Sequence, residues 1–66
     1  MKLNEREYEI LLLLSNEYSV REIAEKLKLK PKIIEESLSE MSTKFKVKSE
    51  LGLVKKAITQ GIIKNI

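Results

Sequence analysis

The chain contains neither cysteine nor histidine. It therefore has no thiol nucleophile, no imidazole base and none of the usual zinc ligand sets. Two glycines and one proline among 66 residues leave few loops on which to hold a buried acid and base pair, and the chain is too short for a cleft between two lobes. We expect one small domain over residues 1–66 that is not an enzyme and binds no metal or cofactor.

Long apolar runs are also missing. The run at residues 10–14 stops after five residues at Ser15, whereas about 20 are needed to cross a bilayer. The first residues lack the apolar stretch and the small-residue cleavage site of a signal peptide, and the absence of cysteine is compatible with a reducing compartment. We expect a cytoplasmic protein with no membrane contact.

Positive charge is concentrated in the second half of the chain. Residues 1–29 carry five basic and six acidic side chains, whereas residues 30–66 carry eight lysines and four glutamates. Such an excess favours a nucleic-acid partner, because lysine and arginine release counterions from phosphates. Lysines on ordinary solvated helix faces would give the same pattern, so charge alone leaves both interpretations open.

Residues typical of helix starts recur along the chain. Asn4 with Glu7, and Ser19 with Glu22, have the spacing of a capping box, in which two side chains satisfy free backbone N–H groups reciprocally. Pro31 fits the first position of a later helix, where its missing N–H is no loss. The predicted helices cover about residues 5–15, 19–27, 31–45 and 49–60.

The second and third of these helices are separated by a very short turn, from about Lys28 to Lys30. On the apolar stripe of the second helix, the small side chain of Ala24 lets another helix approach closely. A short helix, a tight turn and a following helix are the layout of a DNA-binding helix-turn-helix. We expect this motif over residues 19–45.

Apolar spacing predicts the buried sides of the first and third helices. The first helix carries an apolar face too broad for one neighbour to cover, which favours a place in the middle of the packing. In the third helix, apolar residues recur at i, i+4, i+7 and i+11, as expected of a core-facing side. These residues are Ile34, Leu38, Met41 and Phe45.

The fourth helix, which Ser49 can cap, is apolar on more than one side. Its core stripe is predicted to comprise Leu51, Val54, Ala57 and Ile58. Leu53 points away from Val54 and Ile58 around the helix, and Gly61 is a natural left-handed stop. A second apolar surface for self-association follows, which the tail extends through Ile62, Ile63 and Ile66. The alternative is that the tail folds back over the core.

Four segments resemble the LuxR/GerE-type helix-turn-helix domain of bacterial transcription regulators. Residues 3–11, L-N-E-R-E-Y-E-I-L, are similar to the family's L-T-x-R-E-x-E-V-L, and residues 19–27, S-V-R-E-I-A-E-K-L, to its S-N-K-E-I-A-x-x-L. K-F-K-V at residues 44–47 is similar to K-L-G-V, and residues 53–63 follow L-V-x-x-A-x-x-x-G-L-I. The resemblance implies an all-α domain of four helices that places its third helix in the major groove and pairs through its fourth.

Binding residues follow from this resemblance together with the charge pattern. The expected DNA-contacting residues are Arg21, Lys30, Lys32, Glu35, Glu36, Ser39, Lys44, Lys46 and Lys48. The expected dimerisation residues are Leu53, Lys56, Ala57 and Gln60. The cations would hold phosphates, which position the protein, while Glu36, Ser37 and Ser39 would contact bases, which specify the site.

The third helix departs from the family pattern where it should read DNA. The customary lysine is Glu35 and the customary histidine is Ser37, while Glu36 and Glu40 add further acid. A carboxylate can accept from cytosine in the major groove, but carboxylates beside phosphates lose affinity. The customary glycine before the fourth helix is Lys46.

The leading hypothesis is a sequence-specific, DNA-binding transcription regulator that docks on duplex DNA as a homodimer. The alternative interpretation is a helix-turn-helix that has become a protein-interaction module and binds another regulator through Glu35, Glu36 and Glu40. Met1 directly precedes the first motif, which fits a free-standing regulator, although an output domain cut from a longer protein would look the same.

Overall fold

The computed structural model describes residues 3–63 of the chain. This part contains four α-helices and no strand, which confirms the all-α, four-helix fold class. The helices α1 to α4 are Glu5–Ser15, Val20–Leu27, Pro31–Phe45 and Glu50–Thr59. Ser49 is the N-cap of α4, and its hydroxyl accepts the backbone N–H of Gly52 at 3.1 Å.

The first two helices begin at the predicted capping boxes. At α1 the N–H of Glu7 donates to Asn4 Oδ1 at 2.7 Å, and the N–H of Asn4 donates to Glu7 Oε1 at 3.1 Å. At α2 the N–H of Ser19 donates to Glu22 Oε1 at 2.8 Å, and the N–H of Glu22 donates to Ser19 Oγ at 3.2 Å. Two free N–H groups are thereby satisfied at each start, which fixes where each helix begins.

A residue in the left-handed conformation follows each of the four helices. These residues are Glu17 with φ 68°, Lys28 with φ 57°, Lys46 with φ 58° and Gly61 with φ 74°. After α4, the N–H of Ile62 donates to the carbonyl oxygen of Ala57 at 2.9 Å, so the predicted left-handed stop is confirmed. At the two lysines the side-chain Cβ makes this conformation cost about 1 to 2 kcal/mol, a cost that glycine would avoid.

Helices α1 and α3 form the centre of the packing. Each packs against all three other helices, whereas α2 and α4 do not pack against each other. The central place predicted for α1 is thus shared with α3, whose predicted buried side is confirmed. The buried apolar side chains of the described residues are Ile10, Leu11, Ile23, Ala24, Ile34, Leu38, Met41, Phe45, Leu53, Ala57 and Ile63.

Helix α4 buries a different side from the one predicted. Leu53 and Ala57 are fully buried, whereas Leu51 is 71% exposed and Val54 is half-buried. The prediction that Leu51 belongs to the core is therefore wrong, and so is the outward position predicted for Leu53. Because the helix is apolar on two sides, its own sequence does not choose between them, and the choice is made by packing against the rest of the chain.

The segment after α4 folds back over the core. Ile63 is buried in the same cluster as Leu53 and Ala57, and Ile62 is half-buried. These two isoleucines therefore support the alternative in which the tail folds back over the core. Ile66, which was assigned to the same exposed surface, lies outside the described residues.

Candidate nucleic-acid interface

Helices α2 and α3 pack against each other across a tight turn. The turn is short because Lys28 is left-handed and the N–H of Leu29 donates to the carbonyl oxygen of Ala24 at 2.9 Å. Pro31 occupies the first position of α3, as predicted. This arrangement is a helix-turn-helix with α3 as its second helix, which is the helix that enters the major groove in proteins with this motif.

The side of α3 opposite its buried residues is exposed along most of the helix. Polar side chains recur there at i, i+4, i+7 and i+11, and we name the outer ridge by its members: Lys32, Glu36, Ser39 and Thr43. The hydroxyl of Thr43 donates to the carbonyl oxygen of Ser39 at 3.1 Å and is therefore engaged within the helix. The ridge presents an ammonium donor, a carboxylate acceptor and the free hydroxyl of Ser39.

The nine predicted DNA-contacting residues are all exposed. A groove between α3 and the starts of α2 and α4 brings together Glu35, Ser39 and Lys48. On the other flank of α3, a second groove contains Glu36 and Ser39 together with Arg6 of α1. Five predicted contacts lie outside both grooves, so the structure does not gather the set into one site. They are Arg21, Lys30, Lys32, Lys44 and Lys46.

The acidic residues on α3 have no ion-pair partner among residues 3–63. The one salt bridge in that part of the chain joins Lys44 to Glu7, so Glu35, Glu36 and Glu40 keep their carboxylates available. These three residues are also exposed. They can accept hydrogen bonds from an external partner without first breaking an internal contact.

Lys44 has a structural role that the sequence did not reveal. Its Nζ lies 3.1 Å from Glu7 Oε2, and this contact joins the end of α3 to the start of α1. The side chain of Glu7 is 7% exposed, and its other oxygen accepts the N–H of Asn4. The phosphate contact predicted for Lys44 stays a prediction, because the ammonium already compensates a nearly buried carboxylate.

Ser37 lies at the edge of the buried side of α3. It is 9% exposed and follows Ile34 by one helical turn on the buried side. Ser37 nevertheless lines the same groove as Glu36 and Ser39, so the base contact predicted for it stays a prediction. Its position at i+3 from Ile34 was the signal in the sequence for its low exposure.

The four predicted dimerisation residues do not form one surface. Leu53 and Ala57 are fully buried, so they cannot contact a second chain while α4 stays packed, and their assignment as dimerisation residues is corrected. The core position that was also predicted for Ala57 is confirmed. Lys56 is half-buried and Gln60 is exposed.

An exposed apolar surface lies on another side of α4, where sequence reasoning missed it. Leu51 and Val54 of α4 line a shallow depression together with Leu14 of α1, and we name these three residues the Leu51 patch. Glu17 and Glu50 lie at its edge. The patch was missed because Leu51 had been assigned to the core.

The start of α2 responds to pH. The backbone N–H of Ser19, and then its hydroxyl, hydrogen-bond the carboxylate of Glu22 and lower its pKa below the ordinary value of 4.5. Partial desolvation acts in the opposite direction and is the smallest contribution. The capping box of α2 is therefore strongest when Glu22 is ionised.

Neither a membrane span nor a metal site is present among the described residues. No helix in residues 3–63 is long and apolar enough to cross a bilayer. In the same part of the chain, acidic side chains do not come together in a group of three or more that could hold a metal ion.

Residues 1–57 match the family model GerE, which describes bacterial regulatory proteins of the luxR family. The match includes the whole helix-turn-helix and most of α4. A comparison with curated proteins found no match. The family match confirms the resemblance drawn from the sequence motifs, and with it the general expectation of a DNA-binding transcription regulator.

Proposed function

The chain belongs to the LuxR family of bacterial regulatory proteins, and on that premise we propose that it recognises particular sequences in duplex DNA with α3 in the major groove. The observation that carries this proposal is the outer ridge, which lies exposed on the second helix of the helix-turn-helix. Its free side chains are hydrogen-bonding groups, as contact with base edges requires.

Phosphate contacts would come from the cations around the ridge: Arg21, Lys30, Lys46 and Lys48. They are exposed and have no salt-bridge partner among the described residues. Each phosphate contact releases counterions, so each one adds about 0.9 to the slope of log affinity against log salt. These contacts hold the protein on the duplex, while the ridge contacts bases.

We propose that two copies pair through the Leu51 patch on α4. Leu51 is 71% exposed, and a two-fold axis through the patch would bury it against its own counterpart. Helical spacing places Lys56 and Gln60 away from Leu51 and Val54, so their role in pairing is a prediction separate from this contact. Leu53 and Ala57 support α4 from inside the protomer.

The regulator is proposed to act as one unit over residues 1–66 in the cytoplasm. We propose that it acts by binding its partners, without a catalytic step or a cofactor. Its partners are then duplex DNA and a second copy of the chain.

A second candidate function rests on the acidic side of α3. Glu35, Glu36 and Glu40 are exposed and unpaired among the described residues, so the same helix could bind a basic surface on another regulator. Reversing Glu35 and Glu36 to lysine should abolish that interaction, whereas it should strengthen sequence-independent DNA binding by removing repulsion from phosphates.

The DNA proposal is tested by fluorescence anisotropy with a pool of random duplexes at low and moderate salt, followed by sequencing of the retained fraction. We expect salt-sensitive binding and an enriched motif with two-fold symmetry. Lys48→Gln should weaken binding to all duplexes and flatten the salt slope by about 0.9. Its matched control is Lys26→Gln, because Lys26 is an exposed lysine of α2 that lines neither groove beside α3.

Absence of binding at low salt would overturn the DNA proposal. Binding without enrichment would overturn its sequence specificity and leave general affinity for DNA. Equal effects of Lys48→Gln and Lys26→Gln would overturn the assignment of phosphate contacts to the ridge surroundings.

The dimer proposal is tested by sedimentation of the chain over a range of concentrations. We expect a concentration-dependent dimer that Leu51→Lys abolishes. Leu12→Lys is the control, because Leu12 is an exposed leucine on α1 outside the patch. A monomer at every concentration, both free and with duplex, would contradict this pairing.

A further inference from the structure

The outer ridge has a fixed order of hydrogen-bonding groups along α3. Lys32 comes first, Glu36 follows one turn later and Ser39 one turn after that. Thr43 adds no free donor, because its hydroxyl is bonded to the carbonyl oxygen of Ser39. The first three members of the ridge therefore offer a pure donor, then a pure acceptor, then a hydroxyl that does both.

Glu36 is the member of the ridge with the narrowest choice of partner. Its carboxylate accepts hydrogen bonds and donates none, and it is exposed and unpaired among the described residues. In the major groove guanine and thymine present only acceptors, so they repel it. The amino group of cytosine is a donor, while in adenine the amino group lies beside the N7 acceptor. Cytosine is thus the base that suits Glu36.

Lys32 has the complementary preference. Its ammonium carries donors only, and O6 and N7 of guanine are two acceptors on one base edge. Lys32 also lies in the first turn of α3, and the N-terminal residues of a recognition helix are the ones that contact base edges. Guanine is thus the base that suits Lys32.

The helix geometry sets the distance between these two contacts. Four residues of α-helix rise about 6 Å, and successive bases are about 3.4 Å apart along a strand. Lys32 and Glu36 therefore reach bases that are within about two base-pair steps of each other.

From this order we propose that each half-site contains a guanine read by Lys32 and, within about two base pairs, a cytosine read by Glu36. The inference rests on the proposed function, since it requires α3 in the major groove. A glutamate by which this helix departs from the family pattern would then provide sequence specificity. The basic protein surface of the second candidate function is less favoured, because the match to the luxR family supports DNA binding.

The test is random-duplex enrichment with the full chain and with Glu36→Gln. The unaltered chain should enrich a cytosine at one position, where thymine should lower affinity roughly 5- to 150-fold. Glu36→Gln should shift the preference at that position to adenine, because glutamine pairs with N6 and N7 of adenine. Glu36→Ala should lose the preference there without gaining another.

Glu9→Gln is the matched control, because it makes the same change of charge at an exposed residue of α1. It should leave the preferred base at every position unchanged. Circular dichroism should show that all the variants stay helical, since the altered side chains are exposed.

The possible failures are distinguishable. If Glu36→Gln enriches the same motif as the unaltered chain, the cytosine contact is overturned while the proposed DNA-binding function stands. If the unaltered chain enriches no motif, the proposed function fails and this inference falls with it. A shift in preference with Glu9→Gln would also overturn the contact, because the effect would then follow charge and not position.

Discussion

The exposed sides of α3 and α4 differ in chemistry, although both helices bury an apolar side in the same core. On α3 the exposed side is polar from Lys32 to Thr43, whereas on α4 it carries Leu51, which is 71% exposed. When a helix has one polar and one apolar face, its sequence predicts which side is buried. When both faces are apolar, the sequence of the helix does not predict it. The same difference suits the two sides to different partners, DNA for α3 and a second copy for α4.

The largest effect on stability is expected on the buried side of α4. Leu53→Ala should lower the free energy of unfolding by about 2 to 5 kcal/mol, because it leaves a cavity in the core. Leu51→Ala should change it by less than about 0.5 kcal/mol in the monomer, because that side chain is mostly exposed. Urea unfolding at a concentration where the chain is monomeric measures both.

A volume-conserving variant keeps this test valid if Leu53→Ala does not fold. Leu53→Met should fold and cost less than about 1.5 kcal/mol. Greater damage from Leu51→Ala than from Leu53→Ala would reverse the side of α4 that faces the core.

The next largest effect on stability is expected at the end of α3, where Lys44 contacts Glu7. Lys44→Ala should cost about 1 to 3 kcal/mol in urea unfolding, because it leaves the nearly buried carboxylate of Glu7 without its ammonium partner. Combining it with Glu7→Gln in a double-mutant cycle isolates the pairwise energy. Additive losses from the two substitutions would contradict a stabilising contact between α1 and α3.

A smaller effect of opposite sign is expected two residues later. Lys46→Gly should raise the free energy of unfolding by about 1 kcal/mol, because glycine adopts the left-handed conformation of this residue without strain. The same change should weaken DNA binding and lower its salt slope by about 0.9, because a phosphate contact is lost. Greater stability with unchanged salt dependence would remove Lys46 from the interface.

The smallest effect lies at the start of α2, away from both exposed sides. Because folding lowers the pKa of Glu22 below 4.5, its contribution to stability is complete above that pH and is lost as the pH falls through the folded-state pKa. Glu22→Gln should make the thermal midpoint less sensitive to acid in that range, since glutamine keeps the capping box. Identical acid sensitivity of the two chains would contradict the cap's dependence on charge.

Local signals made much of the fold predictable. The capping pairs Asn4–Glu7 and Ser19–Glu22 mark helix starts within four residues of sequence, and the stop at Gly61 is equally local. The buried side of α3 was readable because polar residues cover its other side. The same periodicity places Ser37 three positions after the buried Ile34, which accounts for its low exposure.

Features that depend on distant residues were not predictable. Lys44 and Glu7 are 37 positions apart, and nothing near either residue indicates the other. The choice between Leu53 and Leu51 depends on packing against other parts of the chain, since Leu53 joins a core cluster with residues of all three other helices. Without that packing, an apolar residue on α4 suits the core and an exposed patch equally well.

Entry of the outer ridge of α3 into the major groove is tested most directly by titrating the ¹⁵N-labelled chain with an enriched duplex and following backbone amide shifts. We expect the largest changes at Lys32, Glu36 and Ser39, with little change at Tyr8 and Leu12, which are exposed on α1. Changes centred on α1, or none in α3 at low salt, would contradict it.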